Sequence, residues 1–518
     1  MLTRHIKHVL AVTLLSAVSL SAFAASPVSH QEQLSVLPFS EGRPSKAGAQ
    51  TLRDELLFQR ATQTYLWALP LINTLGMKSG SEAQFGAGYN VLPVWKQRLD
   101  ARTKITTPNS DVIYAMSYVD LGKDGPLVFD APPRLQGILL DFWQRPIPGP
   151  ELDGRNFQGD VGFFGPDGGK GGKFLLLPPG YTEPVPEGYF VFRSATNNVF
   201  IFLRAFYQDP KNLTPAVALI EQAKIYPLND RDGAKAMQFP DASGVPVDML
   251  PISDGRAFEH LHKLVNSEGA HLADPDWLGM LASIGIVKGQ PFAPEASKRA
   301  ILDRAAKTAY KMSRVIGFED VVSGLSYRVF PDRRWVNPFT DGTPANPGGA
   351  KNLAWHNVAG AYAYLDIDAR IWMFTEAYSI SPGMLSQIPG KGAKYMLSFV
   401  DGSGTPLSGG KHYRLRLPAN IPAANFWSVT LYDAENASGL ANGQAFPSLG
   451  SRDKPAQNDD GGTDLYFGPK TPSGNAGNWL ATVPGKAYFA IIRLYGPTET
   501  ALDKSWKPGD FEKINRPN

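Results

Sequence analysis

Asn109-Ser110-Asp111-Val112-Ile113-Tyr114 puts an amide, a carboxylate and a phenol close together. Such a set can orient a polar ligand and, where the carboxylate loses its water, shift a proton. Asp141 ends an apolar run and Arg204 follows the strand run from Asn197 to Phe202. A guanidinium presents a planar fork of donors that matches a carboxylate or phosphate. On a strand through this run Asn109 and Asp111 share one face, with Tyr114 on the opposite parity unless a bulge intervenes. Two readings follow. In one, Asn109, Asp111, Tyr114, Asp141 and Arg204 meet at the rim of a pocket. In the other, Asn109 and Asp111 form an Asx-type turn, with Asp111 fixed to an arginine by a salt bridge. A second set, Trp427, Tyr432, Asn478, Trp479, Arg493, Tyr495 and Trp506, has the aromatic content of a ring-stacking or sugar-binding surface. Aromatic residues in strands also serve as core, with Arg493 then capping a loop carbonyl or carboxylate. Trp427 and Arg493 join the candidate ligand contacts.

Other chemistries lack their motifs. Outside the first 24 residues the histidines are His30, His260, His262, His271, His356 and His412, and none forms His-Glu-x-x-His. His260 and His262, two apart on a helix, point about 200° apart and cannot chelate one ion. Asn229 to Gly233 and Asn458 to Gly461 bring oxygen donors together without the distal Glu of a calcium loop, and they read as turns. No Gly-x-Ser-x-Gly elbow is present. The glycine-rich stretch 165–172 has neither Walker nor dinucleotide spacing and reads as a long turn. No metal and no cofactor is expected.

The elements that must hold these residues are mostly strands. Val112 to Val119, Leu127 to Phe129, Ile138 to Trp143, Phe174 to Leu177 and Tyr189 to Phe192 are short β-branched or aromatic runs separated by Gly/Pro turns. Strand signals return at Tyr395 to Val400, Tyr413 to Leu417, Phe426 to Tyr432, Asp464 to Phe467 and Tyr488 to Leu494. Between the two groups, residues 213–317 read as helical, with Thr214-Pro215 and Asp274-Pro275 as starts and Pro294-Glu295 opening a run that Gly317 closes. An earlier helix carries Leu52, Leu56, Leu57, Ala61, Tyr65, Leu66 and Leu69 up to Pro70, which ends or kinks it.

The N-terminus carries Arg4 and Lys7, an apolar run from Val9 to Phe23, and Ala22-Phe23-Ala24. That order predicts a signal peptide cleaved after Ala24 and a periplasmic or secreted protein. The run is about 15 residues, short of the roughly 20 needed to span a bilayer. Loss of two basic and no acidic side chains lowers the formal charge from +3 to +1. Without a basic excess or a Lys/Arg-rich run, nucleic acid is not an expected partner, and no membrane span is expected after cleavage. With no Cys, stability must come from burial. The expected organisation is a signal peptide (1–24), a flexible leader (25–50), an N-terminal β-rich domain (51–212), a helical region (213–340) and a C-terminal β-sandwich domain (341–518).

Asn109-Ser110-Asp111-Val112-Ile113-Tyr114, Ala131-Pro132-Pro133, Leu139-Leu140-Asp141, Phe174 to Gly180 and Arg204 resemble the domain-of-unknown-function family 1254. Asp401-x-x-Gly404-x-x-Leu407-x-Gly409-x-x-x-Tyr413, Phe426 to Asp433, Asp460-Gly461, Asn478-Trp479-Leu480, Arg493 to Pro497 and Trp506-Lys507-Pro508 are similar to family 1214, in that family's order. Where that family has Asp-Gly-Ser, this chain has Asp460-Gly461-Gly462. The resemblance implies an α+β, mainly β fold: two β-sandwich or jelly-roll-like domains with helical elements between them. It implies no activity and no catalytic residue.

The expected function is that of an exported envelope protein binding a small organic or carbohydrate ligand between its β-domains. Two alternatives stand beside it, a hydrolase- or lyase-type enzyme using Asp111 and Arg204, and an envelope scaffold. The sequence leaves the oligomeric state open.

Overall fold

A computed structural model of the protein describes residues 29–269, 272–320, 327–337, 356–359, 362–365 and 367–515. The expected signal peptide lies outside the described residues. The chain divides into two compact units, one up to Leu56 and one from Leu57 onward. In the first unit Ser29 caps a short helix, His30–Ser35, and Phe39–Ser40 pairs with Arg43–Pro44. The segment expected as a flexible leader thus carries local structure. Helix α1, Lys46–Trp67, begins there and ends before Pro70, and Pro70 opens the next helix, α2, Leu69–Phe85. A proline fits the first turn of a helix because its missing N–H would have no partner there.

The second unit holds two β-sandwiches. The first comprises β1 (Ile113–Asp120), β2 (Leu127–Ala131), β3 (Gln136–Asp141), β4 (Asp160–Val161), β5 (Gly172–Leu177), β6 (Phe190–Arg193), β7 (Asn198–Ala205) and β8 (Lys224–Pro227). They form two sheets, ordered β6-β5-β2-β8 and β1-β7-β3-β4. Ladders are antiparallel except between β5 and β6, where Phe174 lies opposite Phe190 in parallel. Strand alternation sorts the side chains of the second sheet. Ile113, Ala115, Val119, Val199, Ile201 and Leu203 pack into the sandwich. Tyr114, Met116, Tyr118, Phe200 and Phe202 face the other way, into a core shared with the helices. This sheet is buried on both faces.

The segment expected to be helical from residue 213 is interrupted. After α3 (Thr214–Ile220), β8 returns to the first sandwich as an edge strand, and the longer helices come later: α4 (Arg256–Ser267), α5 (Pro275–Ser283) and α6 (Ala296–Val315). Asp274 caps α5 through the Trp277 N–H at 3.0 Å. Gly317 does not close α6; it sits in a π-helical turn, Ile316–Asp320, where a Cβ would stand 2.9 Å from the Trp372 ring. That contact brings α7 (Ile367–Glu376) against the end of α6.

The second sandwich comprises β9 (Ala393–Ser398), β10 (His412–Leu417), β11 (Ala423–Asp433), β12 (Ser448–Gly450), β13 (Thr463–Gly468), β14 (Trp479–Ala481), β15 (Tyr488–Pro497) and β16 (Glu512–Ile514). Its sheets are ordered β9-β15-β11-β12 and β14-β13-β10-β16. Trp427, Val429, Leu431, Ile492 and Leu494 fill its interior. β10 alternates, with Tyr413, Leu415 and Leu417 buried and Arg414 and Arg416 on the wetter face, paired with Glu512, Asp460 and Asp464. On β11 and β15 the opposite parity, Tyr432, Phe489, Ile491, Arg493 and Tyr495, faces away from that interior. The fold is mainly β, with two strand-rich regions separated by a helical one.

Candidate functional site

The outward parity of β1 and β7 and that of β9 and β15 line two adjoining chambers. The first, about 80 Å³, is bounded by Tyr114, Phe202 and Arg204 on one side and by Tyr395, Ile491, Arg493 and Tyr495 on the other. Glu376 from the end of α7, the following Tyr378, and Thr107 and Asn109 from the loop before β1 close it. The second, about 330 Å³, shares Arg204, Met384, Tyr395 and Tyr495 with the first and adds Asp160, Phe163, Phe206 and Lys391. Phe163 and Phe206 are 46% and 43% exposed, so the rim of the larger chamber is aromatic and open to solvent.

The loop before β1 is tied to the second sandwich. Arg493 Nη1 donates to the Tyr432 hydroxyl at 2.5 Å and its Nη2 to the Thr107 carbonyl at 3.1 Å. The Tyr432 hydroxyl donates onward to the Pro108 carbonyl at 2.7 Å. The Asn109 amide donates to the Tyr495 hydroxyl, and the Tyr495 ring stacks on Phe426 with centroids 4.1 Å apart. Arg493 therefore does cap a loop carbonyl, and its guanidinium also borders the cavity.

Arg204 is the unusual member. Its strand neighbours on this face, Phe202 and Phe200, are buried aromatics. Among the described residues its guanidinium makes no hydrogen bond and no ion pair; its ring contact is with Phe202, at 5.8 Å. Asp160 stands in the same chamber, its Oδ2 accepting the Gly383 N–H at 2.8 Å. Burial pushes the Asp160 carboxyl up to about 6, with that N–H and the charge of Arg204 pulling the other way. Burial likewise pushes the Tyr114 hydroxyl up to about 12 and those of Tyr378 and Tyr495 above their ordinary range. At neutral pH these phenols are uncharged donors. Glu376 is buried; its Oε1 lies 2.6 Å from Arg314 Nη1, while its Oε2 has no partner among the described residues.

The remaining sequence candidates lie elsewhere. The Asp111 N–H donates to Asn109 Oδ1 at 2.8 Å, an Asx turn, and the Asp111 carboxylate pairs with Arg98 Nη2 at 3.1 Å. The turn rotates Asp111 away from the cavity that Asn109 borders, so regular strand parity does not apply here. Asp141 accepts the Arg145 N–H at 2.9 Å and Nε at 2.7 Å, which fixes the loop after β3. Trp427 has the inward parity of β11 and belongs to the second sandwich core. The structure brings together Asn109, Tyr114, Arg204 and Arg493. Asp160, Glu376 and Tyr395 were not singled out from sequence, and Tyr495 was noted only among the aromatics. An arginine within a continuous apolar strand is the signal that marks both Arg204 and Arg493.

No three His, Asp or Glu side chains among the described residues converge as a metal-binding group, and no described helix is long and apolar enough to cross a membrane.

Comparison with known proteins places these domains. Residues 89–227 match the model of a family described as a protein of unknown function, DUF1254, and residues 392–499 match that of DUF1214, also of unknown function. The two matches follow one another in that order along the chain. No curated protein matches the sequence. The crystal structure of the VPA0106 protein from Vibrio parahaemolyticus is similar at 18% identity and a TM-score of 0.51, over 89% of this chain and 100% of that one. A putative uncharacterized protein from Burkholderia cenocepacia aligns at 14% identity and a TM-score of 0.39, over 90% and 97%. The first likeness supports the fold.

Proposed function

We propose that the protein is exported, loses its first 24 residues, and binds a small organic ligand in the paired chambers between its β-domains. One observation carries the binding reading: a cavity walled by both sandwiches, its inner chamber largely apolar, with polar groups converging on it from separate elements. That is the usual build of a small-molecule site. Phe202, Met373, Met384 and Leu397 offer contact surface for an organic body beside the polar groups of the inner chamber. Thermal-shift measurements against a panel of alkyl and aryl acids, alcohols and monosaccharides test the reading, with Met384→Trp filling the junction of the chambers. Stabilisation by at least one organic member, lost in the folded variant, is expected. Stabilisation untouched by Met384→Trp, or none by any member, overturns it. N-terminal sequencing of the periplasmic or secreted form tests export, and Ala25 is the expected first residue.

One observation favours a second reading, a hydrolase- or lyase-type enzyme: Asp160 is a carboxyl titrating at about 6 inside the cavity, where it is placed to accept a proton near neutral pH. Arg204 remains in this reading and Asp160 takes the part expected of Asp111. Mass spectrometry of small molecules retained by wild type and by Asp160→Asn tests it. An intact compound held by the variant and absent from wild type supports turnover; identical retained species count against it.

A further inference from the structure

We infer that the ligand is an organic monocarboxylate, held by its carboxylate on Arg204 with its hydrocarbon body among the aromatic and methionine side chains; this rests on the cavity reading given above. Three observations carry it. Arg204 points a guanidinium into both chambers, and no described carboxylate lies within ion-pair distance of it. A half-buried cation with no carboxylate in direct contact has lost part of its hydration without full replacement, so an anion that supplies two acceptor oxygens recovers that loss. The phenols of Tyr114 and Tyr495 are uncharged at neutral pH and can add hydrogen bonds to an oxyanion without repelling it, while the Asp160 carboxyl of the outer chamber, near enough to act on Arg204 by charge, opposes an anion on that side.

The count of cations decides between a carboxylate and a phosphate. Arg493, the second guanidinium of the inner chamber, already spends donors on Tyr432 and Thr107. Lys391, in the outer chamber, sits over the Phe163 ring at 4.0 Å near the mouth. One guanidinium without a hydrogen-bond or ion-pair partner among the described residues, beside Phe202, Met373 and Met384, suits one negative charge carried on a hydrocarbon. A dianionic phosphate draws several cations and backbone N–H groups, and no α-helix N-terminus is among the lining residues, while the N–H of Gly383, in the short 3-10 helix Pro382–Leu385, is already taken by Asp160. The apolar side of the site, Phe202, Met373 and Met384, and the exposed aromatic rim at Phe163 and Phe206 give a short alkyl or aryl body both a path and a place.

The test uses the full protein with octanoate, octanamide, 1-octanol and inorganic phosphate as probes, read by isothermal titration calorimetry. Octanoate is expected to bind about tenfold or more tighter than octanamide, the difference that a charge-assisted bidentate contact supplies over a neutral one. Arg204→Gln is expected to remove that preference while leaving 1-octanol binding within about twofold. Equal binding of octanoate and octanamide by wild type overturns the carboxylate assignment without needing the variant to fold, and leaves the cavity reading standing if both bind. Preferential binding of phosphate overturns it in favour of a phosphorylated ligand. Failure of all four probes, 1-octanol included, overturns the organic-ligand reading itself.

Discussion

Arg98 and Asp111 form a largely buried ion pair, Nη2 to Oδ1 at 3.1 Å, at the turn that leads into β1. The same arginine donates through Nε to the Ser110 carbonyl at 2.9 Å and reaches Asp453 of the second sandwich at 3.5 Å. Ser448 and Arg452 add contacts to the Asp111 carboxylate and carbonyl. Asp111 is therefore a brace between the sandwiches.

Asp111→Ala leaves Arg98 without its main partner inside the protein, and a loss of about 3 kcal/mol of unfolding free energy is expected. Urea denaturation measures it. Binding of a cavity ligand to the still-folded variant should change little. A tenfold loss of binding at unchanged stability would instead make Asp111 a ligand contact.

Tyr432→Phe deletes the hydroxyl that accepts from Arg493 and donates to the Pro108 carbonyl. Two buried groups lose a partner together, so the cost is expected at about 2 kcal/mol, with no compensating cavity. Chemical denaturation of the single variant, and of the double variant with Arg493→Met, checks it. Strict additivity of the two losses would show that the residues do not act through one another.

Asp160 gives a pH dependence whose sign follows from its raised folded value, about 6. Between about pH 4 and pH 6 the folded chain holds a proton that the unfolded chain has released. The stability tied to this proton is full below pH 4 and falls as pH rises toward 6. The total is on the order of 3 kcal/mol. Asp160→Asn keeps an acceptor for the Gly383 N–H and has no proton to lose. The difference in stability between variant and wild type should grow from pH 4 to pH 7 and then level off. A constant difference across that range would contradict the buried-carboxyl assignment.

Gly76 and Gly80 lie on the face of α2 pressed against residues 248–251, where a Cβ would stand 2.1 Å from the Leu250 carbonyl oxygen and 1.9 Å from that of Asp248. Either Gly→Ala change forces backbone apart, and a loss of about 2 kcal/mol or more is expected despite the gain in helix propensity. Thermal melts decide it, because an increase in melting temperature would mean that the two elements separate freely.

The strands were legible in sequence wherever alternation and turn residues coincide. The β1 run, predicted at Val112 to Val119, forms at Ile113–Asp120, and the β10 run at Tyr413 to Leu417 forms at His412–Leu417. The interruption at β8 was not legible, since Lys224-Ile225-Tyr226-Pro227 is short and gains its strand pairing only from β2. Arg204 and Arg493 could be found because each breaks an apolar strand. Asp160 and Glu376 could not, because what distinguishes them is burial supplied by distant elements. Trp427 was separable in principle, being in step with Val429 and Leu431 on the inward face of β11.

The clasp of Arg493 and Tyr432 on Thr107 and Pro108, with Asn109 on Tyr495, bears on how this chain can change over generations. Neither half carries a complete cavity wall, so a gene exchange that replaced one half with that of a distant relative would join two surfaces never selected together. Substitutions at 109 and 495, or at 107–108 and 432, should accordingly be accepted in pairs, and the two halves should descend as one inherited unit despite the hundred and more residues of chain that separate their matched segments.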